Sequence, residues 1–194
     1  MKQFTYISDL TNSKGIETMT GAPVSKINKT LLSGIGYSAS TLELIDVELT
    51  SGSTQRFILK KTALNADWLT QRTKDTVGRE AEILDEESLL KIWDSVHCPY
   101  MVFAMEKGQI AMLMNDLSEY LLPDVKEPID LATEATILNT LASLHAGFWK
   151  SNEIKKLGWL GVPQQYVDAL GPDDHLTDSF APPPEKVLES MNKG

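Results

Sequence analysis

The stretch "TLLSGIGYSASTLELIDVELTSGSTQRFILKKT", residues 30–62, constrains the fold more than any other part of the chain. Apolar runs alternate there with breaks rich in Gly, Ser and Thr, the pattern of consecutive antiparallel strands. Three strands fit, over about 29–33, 41–49 and 56–61. "TSGST" supplies the hairpin turn between the second and third. "SGIGYSAS", between the first two, is too rich in Gly and Ser for an ordinary strand. What precedes is a polar start containing Gly15 and Gly21.

Downstream, "DWLTQRTKDTVGREAEILDEESLLKIWDS" contains no Pro. Val77, Ala81 and Leu84, then Leu89, Ile92 and Trp93, recur near helical spacing, so one or two helices are expected, weakened locally at Gly78. "YMVFAMEKGQIAMLMNDL" is two apolar runs split by Lys107-Gly108, a tight hairpin. "DLATEATILNTLASLHAGFW" is the clearest helix, with Asp130 as N-cap and a stripe of Leu131, Ala135, Leu138, Ala142, His145 and Trp149. On that stripe His145 reads as a satisfied core histidine. The expected fold class is therefore α+β: a five-stranded antiparallel sheet with one packed helix, followed by further helices.

The 194 residues are 42% hydrophobic and 23% charged, a globular composition with length for one domain or one domain and part of a second. Asp and Glu outnumber Lys and Arg by 27 to 18, which opposes the electrostatic term that holds phosphate backbones, so neither nucleic acid nor a membrane is an expected partner. Cys98 is the single cysteine and makes no internal disulfide or multi-thiolate zinc site. With no signal-peptide core and no run of ~20 apolar residues, a cytoplasmic location is expected. His97-Cys98 and Asp173-Asp174-His175 read as turn or surface residues and not as metal ligands.

In so acidic a chain, the two lysines ending "FILKK" raise the question of a role. Strand alternation puts Ile58 and Lys60 on one face and Phe57, Leu59 and Lys61 on the other. A strand lysine reaches nucleotide phosphates when it points into a cleft and a helix glutamate fixes it. "GREAEIL" offers Glu80 and Glu82 on different helix faces. Glu80, next to Ala81 of the apolar stripe, is the preferred partner of Lys60, and Glu82 the fallback. Phe57 and Leu59 are then expected to pack under the helix, Ile58 to lie beside a base, and Lys61 to be a solvated strand end. Gly34 and Gly36 would let backbone N–H groups approach phosphate, with Ser38 and Ser40 adding hydroxyls, although an isolated Gly-x-Gly is also the pattern of a flexible hairpin loop. Met114, Asn115 and Asp116 would form a connector meeting the base, with Met112 lining its pocket; a methionine run is also adaptable core filling.

The order of strand, Gly-rich loop, strand, strand ending in Lys, helix bearing Glu, hairpin, connector and helix matches the small lobe of a protein-kinase-like fold. "RFILKK", "GREAEIL", "MLMNDLS" and above all "LNTLASLHAGFW" resemble the aminoglycoside and choline phosphotransferase superfamily, including its ecdysteroid-kinase-like branch, over roughly residues 31–149. The resemblance implies transfer of the γ-phosphate of ATP, with Mg²⁺, to a hydroxyl of a small molecule. It implies a kinase-like N-terminal lobe over 1–114, then a connector and the start of a helical lobe over 115–194. The family's His-Gly-Asp loop with its Asn, and its metal-binding Asp, have no counterpart: after Trp149 the only histidine is His175, in "DDHLTDSF". The expectation is thus the nucleotide-binding, N-terminal portion of such an enzyme, inactive alone, with no catalytic or metal residues of its own and Mg²⁺ required only with the missing lobe. Its apolar helix would be left exposed and prone to homo-oligomerisation. The alternative is a non-catalytic binding or scaffold module with a kinase-derived fold.

Overall fold

The computed structural model of the chain describes residues 2–32, 40–121 and 128–170. The expected phosphate-loop residues Gly34, Gly36 and Ser38, and the cluster Asp173-Asp174-His175, lie outside these. The described residues form a mixed α+β structure around one open, six-stranded sheet. Its strands are β1 (Lys2–Phe4), β2 (Val24–Leu32), β3 (Thr41–Leu49), β4 (Thr54–Ala63), β5 (Tyr100–Glu106) and β6 (Gln109–Asn115), in the order β1-β5-β6-β4-β3-β2. The helices are α1 (Ser13–Thr20), α2 (Trp68–Arg72), α3 (Arg79–Asp85), α4 (Leu131–Phe148) and α5 (Pro163–Leu170), and 3-10 segments include Ile7–Thr11 and Glu87–Asp94.

The five expected strands are present and antiparallel, and β3 has the expected limits. The sixth, β1, was not expected: it adds to the sheet edge in parallel, pairing Lys2 with Val102 and Phe4 with Ala104. Lys107 and Gly108 both take positive φ, 51° and 76°, as a two-residue turn matched to strand twist requires, and Glu106 pairs with Gln109 across it.

Each face of the sheet carries a packed layer over part of its area. On one, Leu10 of the first 3-10 segment and Ile16 of α1 close over Ile45, Val47, Phe57, Leu59, Val102 and Leu113. On the other, Ala81 and Leu84 of α3 pack on Phe103, Ile110 and Met112. This corrects the expectation for Phe57 and Leu59, which lie under the N-terminal layer and not under α3. Alternation leaves no other solution once Lys60 meets α3, because residues 57 and 59 then point away from it.

The one or two helices expected over residues 67–95 are α2, α3 and the 3-10 segment Glu87–Asp94, with the break at Gly78 where the pattern weakens. Gly78 is where α3 starts. It holds φ at 80°, and a Cβ there would fall 1.8 Å from Cδ1 of Ile110, so this residue both turns the chain and lets it approach the sheet. The Asp75 carboxylate accepts hydrogen bonds from the N–H groups of Gly78 (2.7 Å) and Arg79 (3.0 Å), satisfying donors at the helix start.

Asp130 caps α4 as expected, accepting from the N–H groups of Ala132 and Thr133. Its bond from the Thr133 hydroxyl, ahead of those from backbone N–H groups, holds its pKa below the ordinary value. No residue of α4 is buried. The half-buried positions are Thr133, Ile137, Thr140, Leu144 and Phe148, with Lys91 Nζ 4.3 Å from the Phe148 ring centroid. The helix therefore faces the rest of the chain with a different stripe from the expected one, and His145 is exposed, not a core histidine. Among the described residues, no helix is long and apolar enough to cross a membrane.

Candidate functional site

Lys60 occupies the central strand β4, opposite Leu42 on β3 and Met112 on β6. That register turns its side chain to the α3 side, where Nζ donates to both oxygens of Glu80, at 2.9 Å to Oε1 and 2.6 Å to Oε2. The preferred partner is thus the one engaged. Lys61 points the opposite way and is ion-paired with Glu43, correcting its reading as a solvated strand end.

The carboxylate of Glu80 is also held from its other side, with the Tyr100 hydroxyl donating to Oε1 at 2.7 Å. Trp93 packs edge-on against the Tyr100 ring, with centroids 6.4 Å apart. Burial first, then the neighbouring Glu80 charge, raises the pKa of the phenol, so Tyr100 stays a proton donor to the carboxylate. Tyr100 went unnoticed in the sequence because it opens an apolar strand as one more aromatic. Nothing local says that its hydroxyl reaches an acid 20 residues away.

The pair borders a cavity of about 300 Å³, whose lining includes Ser40, Thr62, Thr70 and Tyr166. Lys60 keeps 24% of its side chain exposed. An ammonium has three N–H donors, and its contacts at 2.9 and 2.6 Å here are with the two oxygens of Glu80. Ser40, at the border of the glycine-rich stretch, lies 2.7 Å from the Thr62 hydroxyl, so one of the four expected loop residues is on this wall.

The other expected residues divide. Ile58 pairs with Leu44 on one side and Met114 on the other, one row along from Lys60 on the same face. Leu42, Leu44, Ile58 and Met114 are half-buried there, forming an apolar floor beside the cation. Leu42 and Leu44 were not anticipated, although their spacing opposite Ile45, Val47 and Leu49 marks a strand apolar on both faces. Met112 is only 1% exposed and belongs to the core beneath α3, so it does not present surface to a base pocket. Asn115 is still in β6, opposite Phe57 and thus on the other face, with its N–H donating to the Pro99 carbonyl at 2.9 Å. Asp116 lies 3.9 Å from Arg56 and accepts from the Ser118 N–H. Of the expected connector residues, Met114 pairs with Ile58 on the face of Lys60, and Asp116 lies just past the end of β6.

Among the described residues no group of three His, Cys, Asp or Glu side chains could hold a metal ion. Chemically the arrangement offers a fixed, partly exposed cation paired to Glu80, with the hydroxyls of Ser40, Thr62 and Thr70 and the carboxylates of Asp67 and Asp75 lining the same cavity. In comparison with known proteins, no family model, no curated protein and no solved structure matches the chain.

Proposed function

We propose that the sheet with α3 is a protein-kinase-like small lobe, and that the chain is the nucleotide-binding part of an ATP-dependent phosphotransferase of the aminoglycoside and choline phosphotransferase type, acting on a small-molecule hydroxyl. The observation that carries the reading is the Lys60–Glu80 pair: a central-strand lysine, fixed through two oxygens by the acid of the following helix, at a cavity of about 300 Å³. Kinases use this pairing to hold phosphate oxygens without covalent chemistry, because positioning and charge neutralisation supply most of the catalysis. Ile58 and Met114 offer the base an apolar surface one row from the lysine. Ser40 adds a hydroxyl at the phosphate side. The 194 residues contain no His-Gly-Asp sequence to accept a hydroxyl proton, so binding without turnover is the expected behaviour.

Calorimetric titration with ATP tests this. Saturable binding is expected, weakened about ten-fold or more in Lys60→Ala, since a charge-assisted contact is lost, and unchanged in Lys61→Ala, whose side chain is on the opposite face. No saturable binding by the unmodified chain, or equal binding by Lys60→Ala, would replace this reading by a binding module without a nucleotide role.

A further inference from the structure

The residue before Glu80 is engaged differently. Arg79 opens α3, and its guanidinium forms no ion pair among the described residues. It is instead gripped by uncharged groups from the nearby Thr73 turn and from the distant segment 159–165. Nε donates to the Trp159 carbonyl at 2.7 Å, while Nη2 donates to the Thr73 carbonyl at 3.0 Å and to Gln165 Oε1 at 3.3 Å. Gln165 Oε1 also accepts from the Val162 N–H at 3.0 Å, closing the loop that leads into α5. Nη1 is buried and has no hydrogen-bond partner among the described residues. The chain passes tightly over it: a Cβ on Gly161 would lie 3.1 Å from Nη1 and 2.9 Å from Cε2 of Tyr166.

An arginine whose fork is spent on backbone carbonyls serves as a tie, because those bonds fix two chain segments relative to each other. Here they join residues 159–165, which follow α4, to the first turn of α3. That helix has only seven residues, and Glu80 is the very next residue. Tyr166, carried by the same tied segment, reaches the wall of the cavity that Lys60 borders.

We propose that Arg79 is a positioning residue: by tying the 159–165 segment to the start of α3 it keeps Glu80 on Lys60, so the state of the chain beyond α4 sets how firmly the cavity's cation is held. The segment is then a strap, and its release frees Lys60. This coupling does not depend on the nucleotide reading, and its test uses no nucleotide.

The test is the acylation rate of individual lysines under limiting N-hydroxysuccinimide ester, read by peptide mass spectrometry on the full chain. An ammonium held by two carboxylate oxygens must be released to react. Glu80→Gln sets the upper limit for Lys60. Arg79→Ala is expected to raise the Lys60 rate about ten-fold, the factor of one lost charge-assisted hydrogen bond. Lys61, paired with Glu43 on the far face, is expected to keep its rate and reports directly on unfolding. Gly161→Ala, which crowds the strap against the Arg79 guanidinium and Tyr166 but leaves Glu80 and Lys60 untouched, is expected to shift Lys60 in the same direction by less, and Arg79→Lys to restore only part of the protection. Should Arg79→Ala unfold the chain, Lys61 would accelerate too, and Gly161→Ala and Arg79→Lys then carry the test. A Lys60 rate unchanged in every folded variant of Arg79 and Gly161, while Glu80→Gln raises it, would overturn the coupling. A Lys60 rate unmoved by Glu80→Gln would also overturn it. Absence of ATP binding with the labelling pattern intact would remove the proposed function and leave this inference standing.

Discussion

The sheet and helix α4 are both rich in apolar residues, yet they use them differently. In the sheet, strands from the two ends of the described β region pair through long-range register, and side chains such as Ile45, Leu113 and Met112 are almost wholly out of water. Along α4, Leu131 is 81% exposed and Leu138 58%, and no residue is buried. A helix apolar around most of its circumference is usually interior. The contrast separates two sources of order. The sheet is held by burial between its own two layers, whereas α4 rests on local propensity, the Asp130 cap and a narrow contact with the Glu87–Asp94 segment.

Core truncation should sharpen the contrast most. Leu113→Ala removes a fully buried side chain and is expected to cost about 2–5 kcal/mol in urea unfolding, against less than about 0.5 kcal/mol for Leu138→Ala on α4. Equal costs would mean that α4 is covered in solution, which would break the comparison. A smaller effect is expected for Gly78→Ala, about 1–2 kcal/mol, because alanine strains at a φ of 80° and meets Ile110. Smaller again is Tyr100→Phe, about 1 kcal/mol for the lost hydrogen bond to Glu80. Its pH dependence is diagnostic. The phenol of Tyr100 is raised in the folded chain, so the folded state keeps that proton when the unfolded tyrosine, titrating near ~10, releases it. The stabilisation is complete below about pH 10 and is lost as pH rises beyond it. Unfolding curves across the alkaline range should fall less steeply for Tyr100→Phe than for the unmodified chain.

Much of the sheet was legible because alternation and turn residues are local signals. The Lys107-Gly108 turn, the limits of β3 and the Asp130 cap follow from a few adjacent residues each. Lys60 with Glu80 came instead from the kinase pattern of a strand lysine fixed by a helix glutamate, parity serving only to separate Lys60 from Lys61. What escaped depends on contacts between distant segments. Three residues of β1 carry no periodicity, and their parallel pairing with β5 is invisible locally. Leu10 and Ile16 sit in a polar stretch, so the second covering layer went unseen and Phe57 and Leu59 were assigned to the wrong one. Parity identifies opposite faces but does not say what covers each. The same holds at the site: Tyr100 and Arg79 act through partners 20 and 80 residues away, at Glu80 and Trp159. His145 was misplaced for another reason, since a helix without a continuous polar face has no unique inward stripe to read.

The opposed pairing of Lys60 with Glu80 and Lys61 with Glu43 also bears on how this chain tolerates change. A deletion of one residue in β4 would exchange the two lysines and still leave each near an acid, but it would turn Phe57 and Leu59 out of their core and carry Ile58 into it. The charges alone are nearly symmetric under such a slip, and the apolar residues are not. Single-residue insertions or deletions in β4 should therefore be far less tolerated than substitutions at its solvent-facing end, so that the strand's frame, more than either lysine, is what selection on this segment would guard.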